Sequence, residues 1–118
     1  MSYWYLATPY SKYPDGITTA FRVACEQTAL LVRARIPVFC PIAHTHPIAL
    51  EGGIDPYDHT IWIPADKPFM ECSKGLIFCK LPSWEISDGM RIEREFFESQ
   101  KRPVIDMTPG VVPHELLS

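Results

Sequence analysis

In the stretch Ser87-Asp88-Gly89-Met90-Arg91-Ile92-Glu93-Arg94-Glu95-Phe96-Phe97-Glu98, one acid differs from the others in its company. On a helix, side chains three or four residues apart are neighbours. Asp88 then has Arg91, Glu95 has Arg91, and Glu98 has Arg94. Glu93 has Gly89, Met90, Phe96 and Phe97, with no base among them, and it shares an apolar stripe with Ile92, Phe96 and Phe97. A carboxyl at the edge of a core loses hydration and keeps its proton to higher pH, as a group doing acid, base or nucleophilic work near neutrality must. The pattern leaves two placements open: Glu93 at the core boundary, or at the edge of the stripe facing water. Gly89 clears a side chain from the helix start at a cost of about 1 kcal/mol of helix propensity. Ser87 reads as the N-cap, and the amides it introduces also suit a phosphate.

His44 and His46 lie two residues apart, with Asp58 and His59 further on. There is no H-E-x-x-H and no Cys/His cluster, so no metal and no cofactor is expected. Histidines in a loop over a sheet edge contact polar groups, and His44 or His46 is expected to line the pocket. Trp62, Trp84 and Tyr10 are candidates for stacking on a planar base, although core packing is the commoner use of an aromatic.

These residues need a frame. Tyr3 to Ala7 reads as a first strand, ended by Thr8-Pro9. Pro14-Asp15-Gly16 is a turn with Asp15 as N-cap. Ile17, Ala20, Phe21, Ala24, Thr28 and Leu31 recur at helical spacing, giving a helix from about 16 to 35 with Arg33 and Arg35 in its last turn. Val38-Phe39-Cys40 is a second strand. From Ile42 to Ala65 the periodicity is lost, and a long functional loop is expected there, with short helical pieces at Pro47 to Glu51 and Tyr57 to Ile63. Asp66 to Cys72 is a short helix with Asp66 near its start and Pro68 in its first turn. Gly75 to Leu81 is the clearest strand, Asp88 to about Lys101 a helix, and Val104-Ile105-Asp106 a fourth strand. Alternating strands and helices predict one α/β domain over 1–118. Its form is a three-layer, flavodoxin- or Rossmann-like parallel sheet of four or five strands with helices on both faces. Ligands of such sheets bind outside the carboxyl ends of the strands. The loops there begin at Thr8, Pro41 and Pro82, close to the unusual residues.

Composition narrows the partners. Of 118 residues, 47% are hydrophobic, enough for a core, and the net charge of −3 argues against a nucleic-acid polymer. No apolar run reaches the roughly 18 residues of a membrane span, and no secretory leader is visible. Cys25, Cys40, Cys72 and Cys79 form no C-x-x-C pair and read as reduced core cysteines, so a cytoplasmic protein is expected.

Four pieces in order resemble the nucleoside 2-deoxyribosyltransferases and the related deoxynucleoside 5′-monophosphate N-glycosidases. They are Tyr5-Leu6-Ala7-Thr8-Pro9-Tyr10-Ser11, Pro41-Ile42-Ala43-His44-Thr45-His46-Pro47, Asp66 before the third strand, and Ser87-x-Gly89-x-x-x-Glu93 after it. The likeness covers roughly residues 3 to 106 and is greatest to a small bacterial and phage branch carrying the His-Thr-His segment. It implies that Glu93 is the nucleophile, that Asp66 orients the substrate and assists the leaving base, and that Tyr5, flanked by Tyr3 and Tyr10, hydrogen-bonds the nucleophile. Ser87 would help hold a 5′-phosphate. Thr8, Pro9, Tyr10, His44, His46, Trp84 and Gly89 complete the expected substrate site. The implied partner is a small-molecule nucleoside or nucleotide, cleaved at its N-glycosidic bond, and the implied assembly is a homodimer or homotetramer. A nucleotide-binding module without turnover, a purely structural protein and a flavodoxin-like electron carrier are the alternatives on the same fold.

Overall fold

The structure, a computed structural model, describes residues 2–117. Four parallel strands, β1 (Trp4–Ala7), β2 (Val38–Phe39), β3 (Gly75–Cys79) and β4 (Val104–Met107), form one sheet in the order β2-β1-β3-β4. Tyr5 pairs with Phe39 on one side and Leu76 on the other, and Ile77 pairs with Ile105. Four helices connect and cover them: α1 (Ile17–Arg33), α2 (Pro41–Gly52), α3 (His59–Cys72) and α4 (Asp88–Ser99). The three-layer parallel architecture read from the sequence is the one observed.

Strand side chains alternate between faces, and the core divides accordingly. Leu6, Ile77, Cys79 and Met107 pack with Ala24 and Leu31 of α1 on one face. Tyr5, Ala7, Leu76 and Phe78 pack with Met70 of α3 and with Met90 and Phe97 of α4 on the other. The chain leaves β1 toward β2 on one side and returns to β3 on the other. The crevice at the carboxyl ends of β1 and β3 is therefore the place where the loops part.

The long loop expected from Ile42 to Ala65 is instead most of two helices, α2 and α3, joined by a short turn. Their prolines hid them. Pro41 stands in the first turn of α2, where its missing N–H costs nothing, but Pro47, Pro64 and Pro68 are internal. Pro64 and Pro68 lie one turn apart on the exposed side of α3, so both lost hydrogen bonds fall on a single solvent-facing strip. Gly53, at φ 71°, ends α2 in the left-handed conformation that favours glycine. Asp58 caps α3, accepting from Thr60 N at 3.1 Å, so Asp66 lies in mid-helix rather than at a helix start.

Smaller boundaries also differ. Gly16, not Asp15, is the N-cap of α1; its φ of 90° suits only glycine, and no side chain caps the helix. Arg35 lies beyond the end of α1 at φ 64° and not in its last turn. Cys40 precedes α2 rather than extending β2. All four cysteines are free; Cys40 and Cys79 are buried and Cys25 is partly buried, but Cys72 at the end of α3 is exposed and not a core residue. Among the described residues no helix is long and apolar enough to cross a membrane.

At its far end α3 is held from outside. Arg102 Nη1 donates to the carbonyls of Met70, Glu71 and Ser73 at 3.0, 2.7 and 3.0 Å, taking up the open end of the helix. At the near end Trp62 Nε1 donates to Asp55 O at 2.9 Å.

Candidate active site

A cleft of about 510 Å³ lies at the carboxyl ends of β1, β2 and β3. Three elements supply most of its wall. From α3 come His59, Trp62, Ile63, Asp66 and Met70, whose spacing is that of one helix face. From α4 and its cap come Ser87 to Glu93, and from the loop after β1 come Thr8, Tyr10 and Ser11. Pro41, Ile42 and Thr45 at the start of α2 and Pro56 and Tyr57 ahead of α3 complete it. Lys12 fastens two of these segments together, donating to Ile86 O at 3.2 Å and pairing with Asp88 at 3.5 Å.

Glu93 faces inward. Its helical neighbours Met90 and Phe97 are both fully buried, which settles the choice left open by the sequence. Ile92, grouped with the core stripe by pattern, is instead 42% exposed at the cleft. Burial pushes the Glu93 carboxyl from 4.5 up to about 8, hydrogen bonding to Tyr5 pulls it down, and the Asp66 charge pushes it up. Burial alone pushes Asp66 from 3.8 up to about 6. Tyr5 is fully buried on β1. Burial first, and then the charges of Glu93 and Asp66, raise its pKa well above the ordinary phenol value. Its hydroxyl has no partner at full hydrogen-bond geometry, so the contact with Glu93 is a loose one. The three groups thus feel one another at the floor of the cleft, each on a different element.

Two carboxyls with separated pKa values share protons as a pair. Between about pH 6 and about pH 8 this pair holds one proton, mostly on Glu93. Such a pair can supply a nucleophile or base from one member and an acid from the other.

Ser87 caps α4, accepting from Met90 N at 3.2 Å, and its own hydroxyl hydrogen remains available to a ligand. A Cβ on Gly89 would meet nothing within 4 Å, so the glycine leaves the cleft wall open rather than serving the packing. Of the three tyrosines near β1, Tyr3 donates to Phe69 O at 2.6 Å, away from the cleft, whereas Tyr10 is in its wall.

Several expected contacts are absent. Neither His44 nor His46 lines the cleft. His44 is on the exposed side of α2, against Phe39 and Phe69, and His46 is buried against Phe21. The cause is that Pro41 to Gly52 is a helix, which turns Ile42 and Thr45 to the cleft and these two residues away from it. Pro9, in the same loop as Tyr10, is fully buried and does not line the cleft. Trp84 packs edge-on to Phe78 at 5.8 Å beneath Lys80, outside the cleft, and Trp62 takes the place expected of it. Thr45, Tyr57, His59 and Met70 were not anticipated as lining; for His59 and Met70 the 59, 62, 63, 66, 70 spacing was the only signal. Among the described residues no group of three or more His, Cys, Asp or Glu side chains is placed to hold a metal ion.

No curated protein matches the chain. The model of a domain of unknown function, DUF1937, matches residues 2–109, and the chain belongs to that family.

Proposed function

We propose that the protein cleaves the N-glycosidic bond of a nucleoside, deoxynucleoside or 5′-monophosphate, as an N-glycosidase or deoxyribosyltransferase. One observation carries the reading: Glu93, Asp66 and the loosely bonded Tyr5 hydroxyl line the same open cleft, with the two carboxyls driven to different pKa values. The resemblance of Ser87-x-Gly89-x-x-x-Glu93 and its companion segments to the deoxyribosyltransferases supports the same roles.

In the reaction the Glu93 carboxylate bonds to the anomeric carbon as the carbon–nitrogen bond breaks. The bonding pair leaves on the base, which takes a proton from Asp66. Water, or a second base, then attacks the anomeric carbon, returns a proton to Asp66 and frees Glu93, with retained configuration. The proton starts mostly on Glu93, so the productive form is the singly protonated pair with its proton moved to Asp66. Tyr5 favours that form by stabilising the Glu93 anion. Tyr10, Tyr57 and Trp62 offer aromatic faces to the base, and Ser87 with the first amides of α4 suits a 5′-phosphate.

The high Glu93 pKa also favours a second reading, a nucleotide-binding module in which a neutral Glu93 donates a hydrogen bond and nothing turns over. The test is free base released from a panel of nucleosides, 2′-deoxynucleosides and their 5′-monophosphates, with Glu93→Gln beside the wild type. Release by the wild type alone supports glycosidic cleavage. A thermal shift without release over hours supports the binding module.

Self-association into a homodimer or homotetramer belongs to the same proposal. Ile48 and Leu50 of α2 and Ile61 and Ile63 of α3 are exposed apolar residues that support it. A mass of one chain by light scattering at micromolar concentration would count against it. The free cysteines fit a reducing compartment such as the cytoplasm.

A further inference from the structure

His46 is 3% exposed and has no surface in the cleft, yet it touches a residue that does. Its ring lies against Phe21 of α1, with centroids 4.6 Å apart and planes 22° from parallel. Its Nδ1 is 2.5 Å from Tyr10 Oη, and the two rings meet edge-on at 5.6 Å. Tyr10 stands in the cleft wall with Tyr57, their centroids 6.4 Å apart.

Tyr10 is on a loop, and its ring would otherwise have to lose rotamer freedom whenever a ligand binds. His46 removes that freedom in advance. Helix α2 fixes its backbone, and the stack on Phe21 fixes its ring plane. Burial lowers its pKa, so the imidazole is neutral near pH 7 and Nδ1 is able to accept. The Tyr10 phenol, pushed up to about 12, keeps the proton it donates.

We propose that His46 is a positioning residue, which holds the Tyr10 phenol through Nδ1 so that the cleft presents a preset aromatic face, with one Oη lone pair left to accept from a ligand N–H or O–H. The nature of that ligand as a nucleoside rests on the function proposed above; the His46–Tyr10 lock does not.

Ligand-free protein with labelled tyrosine tests the lock by nuclear magnetic resonance. The wild type should show a slowly exchanging hydroxyl proton that disappears in Tyr10→Phe. His46→Leu, which removes the acceptor, should lose this signal. His46→Asn, which places an oxygen near the position of Nδ1, should keep it. If His46→Leu does not fold, His46→Gln, whose amide lies one bond further out, takes its place and should also lose the signal. Where a nucleoside is turned over, His46→Leu should raise KM about tenfold with kcat little changed, the cost of immobilising one side chain, and His46→Asn should restore it. A hydroxyl signal that survives in His46→Leu, or an asparagine variant no better than leucine, overturns the proposal. No turnover from any nucleoside, with the hydroxyl pattern as expected, removes the glycosidic reading and leaves the lock standing.

Discussion

Tyr5 and Leu6 are consecutive, both fully buried, and on opposite faces of β1. Around Leu6 the neighbours are Leu31, Ile77, Cys79 and Met107, and nothing there needs a charge. Around Tyr5 a phenol without a full hydrogen bond adjoins two carboxyls that burial keeps partly protonated. One face is built for packing, and the other holds groups that packing alone would discard. Functional sites commonly carry such a cost in stability. Substitutions on the two faces should therefore act in opposite directions.

The largest contrast is at Glu93. Glu93→Gln should lower the rate of base release by at least about 10³-fold, as loss of a nucleophile does. The same change should stabilise the fold by about 1–2 kcal/mol at alkaline pH, read as a rise in Tm. The sign follows from the raised pKa. The folded protein holds a proton that the unfolded chain gives up near 4.5, so stability is full below that pH and falls as pH rises toward about 8. The gain in Glu93→Gln should grow through the same window; a Tm difference independent of pH would place Glu93 in water. On the other face Leu6→Ala should cost about 3 kcal/mol in denaturant unfolding, and it should leave the pH dependence of activity unchanged.

Next in size is Tyr5→Phe. It deletes a hydroxyl that has no full partner, so denaturant midpoints should change by less than about 1 kcal/mol. The rate profile of the wild type should be bell-shaped with limbs near about 6 and about 8, the singly protonated window of the pair. Because the Tyr5 hydrogen bond holds the Glu93 pKa down, its loss should move the upper limb to higher pH. An unmoved limb would separate Tyr5 from the site.

The smallest effect is expected at Gly89. Gly89→Ala adds a methyl to open space and improves helix propensity, so the fold should gain up to about 1 kcal/mol. Ligand affinity should fall, because the methyl enters the cleft wall. Unchanged affinity would mean that the ligand does not approach the start of α4.

The sequence carried the sheet, and it singled out Glu93 while leaving its inward or outward position open, because both are written in plain periodicities. Apolar runs bounded by proline mark the strands, and the absence of a basic neighbour marks Glu93. Helices α2 and α3 were read only as short pieces, for a physical reason. The face that α3 turns inward contains His59 and Asp66 because it lines a cleft, and the face it turns outward contains Pro64, Pro68 and isoleucine. The cleft-facing side also holds Trp62, Ile63 and Met70, so polar and apolar residues are mixed on both sides and the apolar periodicity is blurred where the cleft is lined. Reading that segment as a loop sent His44 and His46 to the pocket, whereas the helix sends Ile42 and Thr45 there.

Arg102 and the two internal prolines of α3 also bear on the order in which the molecule assembles. A fourteen-residue helix that lacks two of its own hydrogen bonds will not nucleate in isolation. Its far end closes only on a guanidinium from the approach to β4, some thirty residues further along. During synthesis α3 should therefore remain unformed until residue 102 has emerged. Asp66 then reaches Glu93 late, and the two acids are brought together only after β1, β2, β3 and α4 have been made.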